Sequence, residues 1–279
     1  MFLDFIEIGT SDFEAEIQKN DLKKGFSIEP IKYYLDRLPD KKDCVKMNIA
    51  VSNYDGNVSV NYLSVENIKK LNLPDWVRGC NSINSFHPTV SKLLSEKQID
   101  IKDIITSNIV ECKSLLTIIS ENKVSGIYYL KIDTEGHDTT ILEHFYTNVS
   151  DNSNLPHVIL FESNSLSERD RVIETIENLE KKGYELVKSE HDTLLKLNLK
   201  KVLNKCKFSE KIEHYYISDY PQDYNPENMP HGNTLDDAQQ YCKQHGYSGV
   251  TFQNNRYEVR SGKHLRYQNT SELASWIYI

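Results

Sequence analysis

Titratable side chains crowd the end of an apolar run in the stretch YYLKIDTEGHDTTILEHF, residues 128–145. Asp133, Glu135 and His137 follow that run almost without a gap. Carboxylates at the end of a buried strand cost free energy unless they have partners or bind a ligand. Two interpretations are open: these residues form a catalytic or metal site, or Thr134 or Asp133 caps a helix whose first turn favours acids.

The chemistry that these residue types support is proton transfer or cation binding. A positioned carboxylate or imidazole can take a proton, and His137 has a suitable unperturbed pKa. Glu162 and Asn164 follow the next apolar run, and with Asp133 they offer hard oxygen ligands for a divalent cation such as Mg²⁺. Such a cation would lower the pKa of a coordinated hydroxyl. The predicted catalytic residues are Asp133, Glu135 and His137, and the predicted metal ligands are Asp133, Glu162 and Asn164.

Strand-like and helix-like segments alternate through the first two thirds of the chain. The predicted strands are Phe2–Gly9, Gly25–Pro30, Cys44–Ser52, Gly126–Asp133 and His157–Ser163, and the predicted helices between them include Ile31–Leu38 and a helix within Val110–Lys123. This order predicts an α/β, Rossmann-like fold with a doubly wound, mostly parallel sheet. In such sheets ligands bind beyond the carboxyl ends of the strands, so the polar residues there should meet along one rim.

The first strand runs into a turn in FIEIGTSDFE, residues 5–14. Gly9 lets the backbone turn sharply and approach a ligand. Glu29 lies twenty residues later, at the end of the next strand, where a carboxylate can accept both hydroxyls of a ribose. The three-glycine cradle for a pyrophosphate is absent. A ligand with a ribose and no phosphate, such as S-adenosylmethionine, fits better; the alternative is an ordinary strand–turn–helix with Asp12 as N-cap.

Four blocks of the sequence resemble the FkbM family of S-adenosylmethionine-dependent methyltransferases. They are FIEIGTSDF, SIEPIKYYLDRLP, NIAVSNYDG and YLKIDTEGHD, in this order, and the resemblance covers roughly residues 2–200. It implies a class I methyltransferase fold and O-methylation, often of sugars or glycosylated natural products. Two departures stand out. Ser11 and Asp12 lie near the place where the family commonly has a second glycine, and we expect no helix ahead of the first strand to cover the cofactor.

The resemblance also implies which residues bind the cofactor S-adenosylmethionine. Three groups are expected: the methionine end near Glu7, Gly9, Thr10, Ser11 and Asp12, the ribose on Glu29, and the adenine near Ala50, Val51 and Ser52. The layout of Asp133, Glu162 and Asn164 is similar to that of metal-dependent small-molecule O-methyltransferases.

An irregular stretch, Leu73–Val90, interrupts the alternation of strands and helices. Long inserts of this kind are often lids or substrate loops. Trp76 offers a stacking face for a sugar, and Asn81, Asn84 and His87 can bond its hydroxyls. His87 is also a candidate base. The alternative is a packed connector with Trp76 in the core.

The composition changes near residue 205, where a stretch rich in Tyr, Pro and Asn follows, including His214–Asn233. We predict a methyltransferase-like domain over 1–205 and a small α+β module over 206–279. The module contains a predicted helix, Thr234–Gly246, with Thr234 as N-cap, and a hairpin around Asn254 and Asn255.

The bulk composition limits the classes of partner and metal that we expect this chain to bind. The net charge is −8 and no run of Lys or Arg stands out, so a nucleic-acid partner is not favoured. The five cysteines are scattered without a C-x-x-C pair, which indicates free thiols and no zinc site. Neither a signal peptide nor a run of transmembrane length is present, so we expect a soluble, cytoplasmic protein.

The expected function is S-adenosylmethionine-dependent O-methyltransfer to a hydroxyl of a sugar or glycoconjugate. The expected partner is thus a small-molecule or glycan acceptor, without nucleic acid or membrane. One alternative is a non-catalytic nucleoside- or glycan-binding protein on a degenerate methyltransferase fold. Another is a methyltransferase for RNA caps or other small molecules; cap methylation predicts a basic groove, which the acidic composition disfavours.

Overall fold

The computed structural model describes residues 1–12, 15–19, 23–84, 87–222 and 234–279. The sequence also predicts a short helix over Asp12–Asn20, and parts of that segment lie outside the described residues. The second half of the stretch His214–Asn233 lies outside them as well. The strands are β1 (Phe2–Ile8), β2 (Gly25–Ile28), β3 (Cys44–Met47), β4 (Ala50–Ser52), β5 (Gly56–Leu63), β6 (Ile105–Ser114), β7 (Gly126–Ile132), β8 (Val158–Glu162), β9 (Tyr184–Ser189), β10 (Asp192–Leu197), β11 (Ile212–Glu213), β12 (Tyr215–Ile217), β13 (Gly249–Gln253), β14 (Arg256–Arg260), β15 (Leu265–Tyr267) and β16 (Ala274–Ile277).

The α-helices within the same ranges are short. They are α1 (Glu16–Lys19), α2 (Lys32–Leu35), α3 (Val65–Lys70), α4 (Pro88–Glu96), α5 (Leu115–Glu121), α6 (Asp138–Asn148), α7 (Arg169–Lys181) and α8 (Leu235–His245). Single 3₁₀ turns lie at Asp75–Gly79, Ile101–Asp103 and Asn152–Asn154. None of the helices in the described ranges has the length and apolar character needed to cross a membrane.

Seven strands form the central sheet, in the order β3-β2-β1-β7-β8-β10-β9. Neighbours from β3 to β8 pair in parallel, and β10 runs antiparallel to both β8 and β9. Successive residues of β1 face opposite layers. Phe5 packs with Ile17 of α1 and Leu35 of α2, whereas Ile6 belongs to the main buried cluster with α5 and α6. The predicted α/β fold with a doubly wound, mostly parallel sheet is confirmed.

The strand order reverses between β1 and β7. The chain moves outward from β1 through β2 to β3, and it later returns to the other side of β1 with β7. Backbone bonds tie the three carboxyl ends together: Gly9 N–H donates to the Ile28 carbonyl, and Asp133 N–H donates to the Ile8 carbonyl, both at 2.9 Å. A crevice at such a reversal is the usual ligand site of an open α/β sheet.

The predicted strand Cys44–Ser52 is wrong as a single element. β3 ends at Met47, and the side-chain amide of Asn48 then donates to the carbonyls of Glu29 at 2.9 Å and Pro30 at 2.8 Å. These bonds hold the chain against the turn after β2 and away from the sheet edge. β4 therefore joins a separate three-stranded sheet in the order β4-β6-β5.

The segment Val110–Lys123 begins as a strand. β6 extends through Ser114, with Cys112 paired to both Ala50 and Gly56. The predicted helix of this segment starts at Leu115, because the Ser114 side chain accepts a bond from Thr117 N–H at 3.1 Å and so forms the N-cap.

The C-terminal strands form a four-stranded antiparallel sheet, β11-β16-β13-β14, and a two-stranded sheet, β12-β15. Helix α8 has the predicted N-cap, since Thr234 Oγ1 accepts from Asp237 N–H at 3.3 Å. The predicted hairpin turns at Asn254 and Asn255, whose φ angles are 51° and 59°. Two positive φ angles are what a two-residue type I′ turn needs, and Asn tolerates them.

Tyr215 connects these strands to the amino ends of β1 and β7. Its hydroxyl donates to Asp4 Oδ1 at 2.8 Å, and its ring lies against Phe2 and Tyr128, with ring centroids 5.5 and 4.7 Å away. Ile217 continues the same buried cluster. The division at 205/206 stays a prediction, and these contacts show one apolar core on both sides of it.

His157 predicts an acid-sensitive step in stability. Burial, and then the charge of His264, lowers its pKa from 6.5 to about 4. The folded state therefore binds this proton less readily than the unfolded chain. The free energy of unfolding that the neutral His157 contributes is fully present above pH 6.5, and it is lost as the pH falls from 6.5 to about 4. We expect a contribution on the order of 3 kcal/mol, and His157→Phe should remove that part of the loss. Urea unfolding at pH 7 and pH 4 measures it.

The control is His191→Phe, because His191 is exposed. That variant should keep the acid loss of the parent protein. An unchanged difference between the two pH values in His157→Phe would contradict the assignment.

Candidate functional site

A cavity of about 370 Å³ lies at the carboxyl ends of β1, β2, β7 and β8, within the range of small-ligand sites. Most of the predicted site residues line it: Gly9, Thr10, Ser11, Glu29, Ala50, Val51, Trp76, Asn81, His87, Asp133, Glu135, His137 and Glu162. Glu7, Asp12, Ser52, Asn84 and Asn164 are also predicted site residues, and they lie behind the lining. The cavity therefore brings together the two halves of the predicted site, the β1–β2 side and the β7–β8 side.

Gly9 permits the close approach of these two halves. Its φ is 79°, and a Cβ added there would lie 1.8 Å from the carbonyl oxygen of Asp133. Only glycine fits a backbone conformation and a space of this kind. The end of β1 is consequently packed directly on the end of β7, and the following Thr10 and Ser11 form one wall of the cavity.

Glu29 is buried at the end of β2 and organises the turn after β1. Its Oε2 accepts from Ser11 N–H at 2.8 Å, and its Oε1 accepts from Ile31 N–H at 2.9 Å. Burial raises its pKa to about 7, against the effect of these two bonds. Each carboxylate oxygen has a second lone pair, so Glu29 can still accept two hydroxyl donors from the cavity.

Asp133, Glu135 and Glu162 form an acidic cluster on the opposite wall. One oxygen from each lies within 4.8 Å of the others. Burial, followed by the charges of the other acids, raises the pKa of Glu135 to about 8 and of Glu162 to about 9. Glu135 also has a φ of 54°, a rare conformation for a residue with a side chain, of the kind that clusters at functional sites.

Three buried polar atoms around the cavity have no hydrogen-bond partner in the described parts of the chain. They are Ser11 Oγ, Asn81 Oδ1 and Glu162 Oε2. Buried polar atoms are nearly always bonded, so three exceptions around one cavity indicate a polar ligand there. The donor set fits both implied groups: Glu29 and Ser11 fit a ribose-bearing ligand, and the three carboxylates fit a divalent cation with oxygen ligands.

Asn164 lies behind Glu162. Its amide donates to Glu162 Oε1, and its Oδ1 accepts from Leu166 N–H at 2.8 Å. The structure thus gives Asn164 the position of a residue that orients Glu162. Glu135, predicted as a catalytic residue, completes the cluster of three carboxylates with Asp133 and Glu162. Asn164 as a metal ligand stays a prediction.

The interpretation of Asp133 or Thr134 as the N-cap of α6 is wrong. The N-cap position belongs to His137, whose side chain makes no cap bond. Asp138 is fully buried instead, where its oxygens accept from Thr134 Oγ1 at 2.7 Å and from Glu162 N–H at 3.1 Å. Asp138 therefore joins the loop after β7 to the end of β8.

His137 and Ser52 form a pair beside the acidic wall. Nε2 of His137 lies 2.9 Å from Ser52 Oγ. Burial, and then the charge of Arg171, lowers the pKa of His137 to about 4. The imidazole is therefore neutral near pH 7, and it connects Ser52 to the cavity lining.

His87 is fixed as a hydrogen-bond donor. Its Nδ1 accepts from Thr89 N–H at 3.0 Å, which makes it the N-cap of α4. Burial lowers its pKa, so the ring is neutral and its single proton must sit on Nε2. Nε2 lies 3.8 Å from Glu135 Oε2. With its proton there, Nε2 has no lone pair for a metal or for a proton from substrate, although Cys80, His87 and Glu135 lie within reach of one ion.

Glu7 lies in the sheet beneath the cavity wall. It is fully buried, and it accepts from Lys131 Nζ at 3.0 Å and from Glu16 N–H at 2.8 Å. Burial raises the pKa of Glu7 although Lys131 opposes the shift. Lys131 itself lines the cavity, and its place two residues before Asp133 in a strand was a usable signal, because such residues share a face.

Asp12 connects the irregular stretch Leu73–Val90, called the insert from here on, to the turn after β1. Its side chain is 2% exposed, and it accepts from Arg37 Nε at 2.6 Å and from Arg78 NH1 at 2.9 Å. The insert carries Trp76, which is 45% exposed and lines the cavity, so the interpretation with Trp76 in the core is wrong. The long separation of Asp12 and Arg78 hid this contact from sequence reasoning.

Further contacts seat the insert over the cavity. Ser82 pairs with Asn61 of β5 through backbone bonds of 3.0 and 3.1 Å, and it lines the cavity together with Cys80. Asn84 N–H donates to Ser82 Oγ at 3.0 Å, so Asn84 supports the insert from behind. Neither Cys80 nor Ser82 had a motif that marked it in advance.

Fold and site together define an α/β protein with a polar cavity at the reversal point of a mostly parallel sheet. A family model described as the methyltransferase FkbM domain matches residues 7–186. The chain belongs to the FkbM methyltransferase family, as the resemblance of its motifs implied.

A solved structure is also similar to this chain: a crystal structure of methyltransferase FkbM from Methylobacillus flagellatus KT at 2.20 Å resolution. The two chains are 12% identical with a TM-score of 0.40, and the match covers 70% of this chain and 44% of that chain. This chain thus spans less than half the length of that relative. No curated protein matches the chain.

The Asp12 contact predicts a coupling between the insert and the cavity. Asp12→Ala leaves Arg37 and Arg78 without their shared carboxylate, and bonds to charged groups of this kind contribute about 2 kcal/mol. We expect a melting temperature about 5 °C lower and faster proteolysis within the insert. Thermal unfolding and limited proteolysis measure both.

Asp36→Ala is the matched control, because Asp36 forms an exposed ion pair with Lys32 in which both side chains are more than half exposed. An exposed pair of this kind contributes little to stability. Equal effects of the two substitutions would contradict the role of Asp12.

Proposed function

We propose that this chain is an S-adenosylmethionine-dependent O-methyltransferase whose acceptor is a hydroxyl of a sugar or glycoconjugate. One observation carries the proposal: a single cavity holds the buried Glu29 carboxylate on one side and the Asp133–Glu135–Glu162 cluster on the other. The first suits the ribose of a nucleoside and the second suits a hydroxyl that must lose a proton. Membership of the FkbM family supports the reaction class.

The cofactor is proposed to lie along the β1–β2 side of the cavity. When bound, S-adenosylmethionine supplies an electrophilic methyl group on a sulfonium sulfur. Glu29 accepts the ribose hydroxyls, Ser11 Oγ bonds the methionine end, and Ala50 and Val51 pack beside the adenine. Burial of Glu29 and the apolar wall keep water away from these groups.

The acidic cluster is proposed to take the acceptor proton. Glu135 and Asp133 are the carboxylates in position to act as general base, because both line the cavity. A divalent cation on Asp133, Glu135 and Glu162 would lower the pKa of a coordinated hydroxyl and orient it. Asn164 then serves to orient Glu162 and is not itself a ligand.

The insert is proposed to bind the acceptor. Trp76 offers a half-exposed ring at the cavity, Asn81 Oδ1 is an unused acceptor, and His87 presents a fixed N–H donor. A sugar presents an apolar ring face and hydroxyls that both donate and accept, which is the complement of these three groups.

Two substitutions separate cofactor binding from catalysis. Glu29→Gln should weaken S-adenosylhomocysteine binding at least about tenfold, because it removes a buried acceptor of the ribose hydroxyls. Asp133→Asn should keep that affinity and lower methyl transfer by about 100-fold or more, the usual contribution of a general base or of a cation ligand. Calorimetry and transfer of labelled methyl to free glycans and nucleotide sugars measure the two effects.

Matched controls are Glu96→Gln and Asp103→Asn, both on exposed carboxylates remote from the cavity lining. Neither should change binding or turnover. Failure of both S-adenosylmethionine and S-adenosylhomocysteine to raise the melting temperature of the parent protein would remove the enzyme proposal. Cofactor binding without transfer to any acceptor would leave the binding-protein alternative.

Chelation tests whether methyl transfer depends on a divalent cation. If the acidic cluster holds a divalent ion, EDTA should abolish transfer and Mg²⁺ or Mn²⁺ should restore it. Glu162→Gln should weaken Mn²⁺ binding at least about tenfold, since it replaces one charged ligand. Glu168→Gln is the control, on an exposed side chain. Full activity in EDTA would remove the cation and leave Asp133 and Glu135 as bases.

A further inference from the structure

A second cavity, of about 200 Å³, lies between the central sheet and the C-terminal strands. Tyr128 of β7, Lys196 of β10 and Arg266 of β15 contribute to its lining, together with His157 and His264. It shares no lining residue with the cavity at the strand ends. A water molecule needs only about 10–15 Å³ of such volume, so this space can hold a polyatomic ligand.

The lining of this second cavity carries two permanent positive charges, on Lys196 and Arg266. His157 and His264 add two imidazole rings, and none of the eight lining residues is acidic. The chain as a whole has 41 Asp and Glu against 33 Lys and Arg. Two permanent cations and no carboxylate in the lining give the cavity a locally favourable potential for an anion, although the net charge of the chain is −8.

Lys196 and Arg266 are the two permanent cations of the second cavity. Neither forms an ion pair with another residue in the described ranges. Glu185 lies opposite Lys196 in the β9–β10 pairing, but its carboxylate accepts from Asn198 at 2.7 Å and from Lys201 at 3.1 Å. Burial raises the pKa of Tyr128, and the positive charge of Arg266 partly opposes this shift. Arg266 thus lies close to the phenol at the cavity wall.

The two histidines add an unexplained polar atom. His157 is buried, and its Nδ1 has no hydrogen-bond partner among the residues that the structure describes. His264 is held in place because its Nδ1 donates to the Leu197 carbonyl at 3.1 Å. A ligand in the adjoining cavity would give this ring nitrogen a partner, as buried polar atoms require.

We propose that this second cavity binds a phosphate-type oxyanion, either inorganic phosphate or the phosphate of a phosphorylated small molecule. The planar guanidinium of Arg266 suits two phosphate oxygens at once, and Lys196 adds charge to the same lining. The imidazoles of His157 and His264 supply the remaining polar contacts. The site does not depend on the proposed methyl transfer, because it lies apart from that cavity.

Calorimetry with the full chain tests this site, with inorganic phosphate and glycerol phosphate as probes and chloride at equal ionic strength as the baseline. We expect saturable phosphate binding that survives saturation with S-adenosylhomocysteine. Arg266→Gln should weaken it at least about fivefold, and the exposed side chain of Arg266 makes misfolding of the variant no concern. Arg169→Gln, at another exposed arginine, should bind as the parent does.

The outcomes separate the two sources of the phosphate. Clearly tighter binding of the monoester assigns the site to a phosphorylated ligand, and equal binding assigns it to free phosphate. Heat that chloride reproduces, or equal affinity in Arg266→Gln and the parent, would overturn the proposal. Loss of binding on adding S-adenosylhomocysteine would do the same, because it would place the phosphate in the first cavity.

Discussion

The close approach of Gly9 to the Asp133 carbonyl is the constraint on which the rest of the site depends. A side chain at Gly9 would occupy the same space as that oxygen, so the ends of β1 and β7 can meet only with glycine there. Their meeting brings Ser11 and Glu29 to one wall and Glu135 to the other. A sheet with the same strand order and a wider gap at this point would have two separate polar rims.

Burial of so many acids has a cost that the surrounding fold offsets. The buried carboxylates of Glu7, Glu29 and Asp138 each accept at least two hydrogen bonds from the backbone or a side chain. Asp133 and Glu135 have no comparable set of donors among the described residues. Burial raises the pKa of both carboxyls, and the charges of Asp133 and Asp138 raise that of Glu135 further. The chain thus satisfies its structural acids and leaves the acids of the cavity wall for a ligand.

The motifs predicted the central sheet and most of the cavity lining, because strand periodicity and the position of strand ends are local properties. Contacts between residues that are far apart in the sequence could not be predicted from these local properties. Asn48 turns the chain off the sheet after β3, and nothing in its neighbours reveals the two carbonyls that hold it. His87 was a candidate base by residue type alone; its bond to Thr89 N–H, which decides its tautomer, appears only with the start of α4.

Asp12 gives the molecule a mechanical property beyond its stability. It follows Ser11 in the turn after β1, and through Arg78 it holds the insert that carries Trp76. One carboxylate therefore connects the turn after β1 to the insert on the other side of the same cavity. Under the proposed function, this carboxylate is a route by which a ligand bound at the turn after β1 and a ligand bound at the insert could change each other's affinity by the same factor.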